Sequence, residues 1–266
     1  MTHTRLLKQL FHGAFTALLL SFSLSASAQA GGWQKQQYAH KAYDLPYQWY
    51  TPADAGKEKL PLVVVLHGTY EAGRDNQQHM LKGTNVGPDY FARAKIQAIQ
   101  KTYILAPQTS LPVRWASTGI PEYDLSTTPI TPSMAALLSL IDEAVRTKAV
   151  DPRRIYLVGL SRGGQGAWNA AFHRPDLFAA IAPIAGSGSP KDGAKLINMP
   201  AWAFHGDQDE ITDVAYTRNM VDAIIKAGGS TKTIRYTEIQ GGDHADSWLT
   251  AYHGEDLWRW LLDHKK

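Results

Sequence analysis

Apolar residues follow two alternating patterns along the chain: short unbroken runs, and longer stretches in which they recur every three or four positions. Residues 60–66, LPLVVVL, form such a run. A β-branched run of that length predicts a strand buried on both faces of a parallel sheet. Residues 103–106, 155–158, 178–185, 201–204 and 233–239 predict further strands. Helical spacing at 88–100, 163–172 and 213–226 predicts helices, the last stopped by Gly228-Gly229. Thr131 and Pro132 supply an N-cap and a first-turn proline for a helix reaching about residue 148. Its apolar positions Leu137, Leu140, Ile141 and Val145 share one face. Residues 255–262 predict a closing helix, 38–50 an edge strand pair broken near Pro46, and 57–59 a polar turn. Residues 108–131, rich in Pro, Ser, Thr and Gly, are too long for an ordinary connection and predict a functional loop. Strands alternating with helices predict an α/β chain with a mostly parallel central sheet and helices on both faces. No repeat and no dividing linker is visible.

The first residues break this pattern. Arg5 and Lys8 precede an apolar run at 14–24, and Ala26-Ser27-Ala28 follows with the small-residue spacing that signal peptidase accepts. The run is short of the roughly 20 apolar residues that span a bilayer. A signal peptide at 1–28 is expected, with a domain at 29–266 beginning near Gln29 and exported to the periplasm or beyond. An amphipathic helix of the domain, or an uncleaved anchor, is the competing reading. No later segment is long and apolar enough to span a membrane, so no stable insertion is expected after cleavage.

Composition narrows the chemistry. Of 266 residues, 44% are apolar and 19% charged, as in globular chains. The net charge of +3 comes without any basic block, so no nucleic-acid partner is expected. The chain has no cysteine, which excludes thiol catalysis, disulfides and thiolate metal sites.

Gly159-Leu160-Ser161-Arg162-Gly163 lies between a predicted strand and a predicted helix. In that context G-x-S-x-G marks a sharp turn that presents its serine at the carboxyl end of a sheet, so Ser161 is the candidate nucleophile. The alternative is a glycine-rich turn with a helix-capping serine. A serine hydroxyl needs a base, and the base an orienting carboxylate. Asp207 and Asp209 follow the strand at 201–204, and His244 follows the strand at 233–239 in a glycine-rich loop. The order Ser161, Asp209, His244 fits the serine–acid–histidine order of such turns, although Asp207 also satisfies it. Asp213 and Asp243 are poorer choices, since an aspartate there reads as a helix N-cap, which Asp213 fits well, and His67 and His205 read as structural hydrogen-bonders at strand ends. Backbone amides of Arg162 and of Thr69, or else Tyr70, are the candidate oxyanion donors. Trp115 and Trp248 are candidate pocket walls, with core packing as the alternative. Arg74 and Arg114 read as solvated surface, with contact to an acidic substrate group as the alternative. His205, Asp207 and Asp209 resemble a metal cluster in composition but lack zinc-helix or EF-hand spacing, and no nucleotide motif is present. No metal or cofactor is expected.

Several further stretches sharpen this. They are His67-Gly68 with Glu71 to Asn76 after it, Leu105-Ala106-Pro107-Gln108, Arg114-Trp115, Asp151 to Tyr156, Gly159 to Trp168, Pro200 to Gly206, Asp209, and His244 to Trp248. In these, from about residue 60 to the C-terminus, the chain resembles bacterial α/β-hydrolases of the carboxylesterase, phospholipase or predicted-peptidase type, related to feruloyl-esterase-like and polyhydroxybutyrate-depolymerase-like enzymes. The resemblance implies an α/β-hydrolase fold, with Asp209 as triad acid and His244 as base. It also implies a serine hydrolase acting on a small-molecule or polymer-linked carboxylic ester through an acyl-enzyme. Thr69 and Tyr70 stand where the family often has glycine or a small residue. A serine peptidase on the same fold is the rival expectation, and a non-catalytic binding module the more distant one.

Overall fold

The computed structural model describes residues 31–80, 86–116 and 123–266. The expected leader at 1–28, and residues 117–122 of the predicted functional loop, lie outside the described residues.

Eight strands form one sheet in the order β1-β2-β4-β3-β5-β6-β7-β8. They are β1 (Gly32–His40), β2 (Tyr43–Thr51), β3 (Leu60–Leu66), β4 (Tyr103–Pro107), β5 (Val150–Leu160), β6 (Ala180–Ile184), β7 (Ala201–Gly206) and β8 (Ile234–Ile239). From β4 to β8 every pairing is parallel, while β2 meets both β1 and β4 antiparallel. The helices are α1 (Gly87–Ala92), α2 (Ala94–Ile99), α3 (Pro132–Thr147), α4 (Arg162–His173), α5 (Ala215–Lys226), α6 (His244–Ala251) and α7 (Asp256–Leu262). Among the described residues no helix is long and apolar enough to cross a membrane.

Why β3 reads as an unbroken apolar run is visible in its packing. Successive side chains of a strand point to opposite faces. Leu62, Val64 and Leu66 join a core with Met134, Leu137 and Ile141 of α3 and Trp168 of α4. Val63 and Val65 join a second core with Tyr90 and Phe91 of α1 and Trp258 of α7. Both faces are covered, so neither set of positions can be polar. Thr131 caps α3 as its position predicts, its side chain accepting from the Met134 amide.

Four local expectations change. The β1–β2 hairpin turns at Lys41-Ala42, with Lys41 at φ 54°, and not at Pro46, which lies within β2. The Pro46 carbonyl accepts from the Gln108 amide on the β4 side. A strand residue's N and C=O face the same neighbour, so the missing N–H takes nothing from the β1 ladder. The predicted helix at 88–100 is two helices, because Arg93 adopts φ −58°, ψ 139° between them. The strand at 155–158 begins earlier, at Val150. Its register against β3 shifts between the Leu60–Val150 and Leu62–Ile155 pairs, and that irregularity absorbs Pro152. Finally, residues after Gly242 form a helix, α6, where a loop was expected.

Candidate active site

The turn at Ser161 is held by backbone meeting backbone. Ser161 sits between β5 and α4 at φ 53°, ψ −119°, a conformation that costs a non-glycine residue about 1–3 kcal/mol. Its amide donates to the Ile184 carbonyl at 2.8 Å. A Cβ at Gly159 would stand 2.1 Å from the Gly163 carbonyl oxygen, and one at Gly163 2.2 Å from that of Leu66. Only glycine permits both approaches, which is why the serine is flanked as it is. The side chain is thereby thrust out at the carboxyl end of the sheet, above the N-terminus of α4, where amides lack intrahelical acceptors.

The partners arrive from two neighbouring strands. Asp209 follows β7, and His244 opens α6 after β8. Their loops are fastened together. The Asp207 carboxylate accepts from the Gly241 amide at 2.7 Å, the Gln208 amide donates to Gly242 O at 2.9 Å, and the Gly206 amide donates to Ser247 Oγ at 2.9 Å. Asp243 caps α6 reciprocally with Asp246. This sets the first residue of the helix, His244, beside both other groups. Its Nδ1–H donates to Asp209 Oδ2 at 2.5 Å, leaving Nε2 to accept from Ser161 Oγ at 2.9 Å.

The Asp209 side chain is fully buried. Burial opposes its charge, but hydrogen bonds from His205, His244 and the Thr212 amide outweigh it and hold the carboxyl well below the usual carboxylate range. Oδ1 accepts from the amides of Ile211 and Thr212 at 2.9 and 2.8 Å. Oδ2 also faces His205 Nε2 at 3.0 Å. That nitrogen faces a second acceptor, Thr212 O, at 2.9 Å, so it is the protonated one. His67 is different. It is buried, its Nδ1–H donates to Gly68 O and its Nε2 accepts from the Thr109 amide, and burial pushes its pKa down to about 3.

Beside Ser161 opens a groove of about 640 Å³, lined by residues that include Thr69, Tyr70, Glu71, Ser161, Ile211, His244 and Trp248. Thr69 therefore lines the same groove as Ser161, as does Tyr70. Arg162 directly follows Ser161 as the first residue of α4. Trp248 meets the His244 ring edge-on, with centroids 5.1 Å apart. The expectation for Trp115 is corrected: it is fully buried in the core, not in the groove wall. Its Nε1 donates to His67 O at 3.2 Å, and its Cβ occupies the space over Gly166, where an added Cβ would be 2.6 Å away. Asp213 accepts from the Ala215 amide at the start of α5, as a capping residue would.

Four residues of this neighbourhood escape a sequence reading: His205 as a partner of Asp209, Asp207 and Ser247 as loop fasteners, and Glu71 as a buried groove residue. The Asp243–Asp246 spacing was the one available signal for α6, and it is a weak variant of the usual box with Glu or Gln.

Residues 45–192 match the family described as "Esterase PHB depolymerase". The chain belongs to that family. Among relatives of this esterase-family chain, "Putative esterase NocK" of Nocardia uniformis subsp. tsuyamanensis is 26% identical over 163 residues, covering 60% of this chain and 43% of that one. A solved thermostable esterase superposes with a TM-score of 0.80 at 28% identity, over 88% of this chain and 63% of that one. A ferulic acid esterase superposes with a TM-score of 0.61 at 16% identity, over 84% and 96%, a likeness of fold. The chain thus spans less than half the length of NocK and under two thirds of that of the thermostable esterase. The architecture is the α/β-hydrolase fold.

Proposed function

We propose that this protein is a serine hydrolase that cleaves carboxylic esters through an acyl-enzyme. The observation that carries the reading is the continuous hydrogen-bonded line from Asp209 through His244 to Ser161, ending at an open groove. Ser161 Oγ attacks the ester carbonyl as His244 Nε2 takes its proton. The amides of Arg162 and Thr69 hold the developing oxyanion. On collapse the ester C–O bond breaks, and His244 returns the proton to the departing alcohol. Water, deprotonated by His244, then attacks the acyl group on Ser161 and releases the carboxylic acid. Asp209 keeps the imidazole in the productive tautomer and stabilises it when protonated. Relatives named as esterases support an ester as the bond cleaved, on a small molecule or a polymer.

A fluorophosphonate probe should label wild-type protein at Ser161, and an ester panel varied in acyl and alcohol parts should be hydrolysed. Absence of labelling in folded protein, together with no turnover of any ester, would overturn the reading. We also propose that residues 1–28 are removed on export, leaving a chain that starts near Gln29. The intact mass of the exported native protein should lack them, and retention of Met1 would refute cleavage.

A further inference from the structure

Glu71 is left without a task by the reaction above. It is 2% exposed, yet it lines the groove at the nucleophile. A Cβ added to Gly68 would lie 3.0 Å from Glu71 Oε2 and 3.5 Å from Ser161 Cβ, so carboxyl and nucleophile flank the same glycine. The hydrogen bond that Glu71 does make uses its backbone carbonyl, with Gln108 Nε2 as donor. Its side chain has no hydrogen-bond or ion-pair partner among the described residues. Among the described residues the other two buried acids are fully occupied. Asp151 accepts from the Arg153 amide and Arg154 Nε, and Asp209 from histidines and amides. A carboxyl almost wholly enclosed, with its remaining exposure at the groove and no partner among the described residues, is placed to take a donor that arrives later.

The surroundings narrow the donor. Glu210 and Asp243 also line the groove, Tyr70 and Trp248 contribute aromatic rings, and among the described residues neither Lys nor Arg lines it. Acidic groups with aromatic faces favour a cation over an anion or a neutral group. We propose that Glu71 is a substrate-recognition residue, and that the groove takes carboxylic esters bearing a protonated amine whose N–H reaches the Glu71 carboxyl. The inference rests on the ester-hydrolase reading above. It places the selectivity of the site in a residue outside Ser161, Asp209 and His244.

Two isosteric pairs test it by following acid release near neutral pH. One is 2-(dimethylamino)ethyl butyrate against 3-methylbutyl butyrate, with the amine on the alcohol. The other is methyl 4-(dimethylamino)butanoate against methyl 5-methylhexanoate, with the amine on the acyl part. In at least one pair wild-type kcat/KM should favour the amine by about tenfold or more, the worth of a charge-assisted hydrogen bond. In Glu71→Gln that ratio should fall to within about threefold of unity. A purely structural role would lower both members together and leave the ratio where it was. Wild-type ratios near unity in both pairs overturn the proposal without recourse to any variant, and so does a preference that Glu71→Gln and Glu71→Asp both retain. Hydrolysis of both members at equal rates defeats this inference alone. No hydrolysis of any of the four esters, with no labelling of Ser161, defeats the ester-hydrolase reading and this inference with it.

Discussion

At Ser161 backbone pressed on glycine is the fixture, whereas at Asp209 and His244 a similar contact, Gly206 against Gly242 and Asp243, is supplemented by side-chain hydrogen bonds. The serine turn is clamped by carbonyls pressed against Gly159 and Gly163, at distances that no Cβ tolerates. The loops that carry Asp209 and His244 are joined by Asp207, Ser247, the Gln208–Gly242 backbone bond and the Asp243–Asp246 cap, and the Asp209 carboxylate is further held by His205. The first construction fails all at once when one atom is added. The second has one such point, at Gly206, but its side-chain bonds are separate, each worth about 1 kcal/mol net, and these should fail by degrees.

The largest effect expected is on turnover. Ser161→Ala and His244→Ala should each lower kcat by about 10⁴ to 10⁶, and the double variant should be scarcely worse, because the groups act as one unit. Steady-state kinetics on a chromogenic ester, with circular dichroism as a folding control, checks this; additive losses would contradict it. Asp209→Asn should cost about 10⁴ by favouring the wrong tautomer.

Next comes the clamp. Gly163→Ala puts a methyl group 2.2 Å from the Leu66 carbonyl and should cost about 4 kcal/mol or more of stability, read from chemical denaturation or from loss of soluble protein. A well-folded Gly163→Ala variant would show that the elbow relaxes and would erase the contrast. On the fastened side, Asp207→Asn should lower kcat/KM about tenfold at most, with a stability cost near 1 kcal/mol. A loss approaching that of Asp209→Asn would move the acid's role to Asp207. The smallest effect is a gain. Ser161→Gly removes the strain at φ 53° and should stabilise the fold by about 1 kcal/mol, whereas Ser161→Ala, still bound to that backbone angle, should not. Thermal melts of the two variants side by side separate these outcomes.

The same contrast governs how much could be read from the sequence. Clamped features leave marks in residue type: Gly159 and Gly163 around Ser161, the unbroken apolar β3, and Thr131-Pro132 ahead of α3 all led to the right element. Fastened features leave few. Helix α6 is eight residues long, begins beside two glycines and carries an Asp–Asp box, so its pattern resembles a loop. Asp207 and Asp209 have the same side chain two residues apart, and only the fold turns one to His244 and the other to Gly241. Trp115 looked like a loop aromatic because its segment is rich in Pro and Ser, but Gly166 on α4 opens the space that draws it into the core. Glu71 illustrates the limit: a glutamate in a polar stretch carries no sign that its carboxyl will be enclosed.

The backbone angle at Ser161 is imposed by its neighbours and owes nothing to the hydroxyl. Residue 161 is therefore a mount, and what it carries can be exchanged. Because the chain contains no cysteine, Ser161→Cys would give it a single thiol, held at a point that faces both His244 and the groove. The fold thus offers a unique chemical address, at which a thiol-directed fluorophore or tether would report on whatever enters the site.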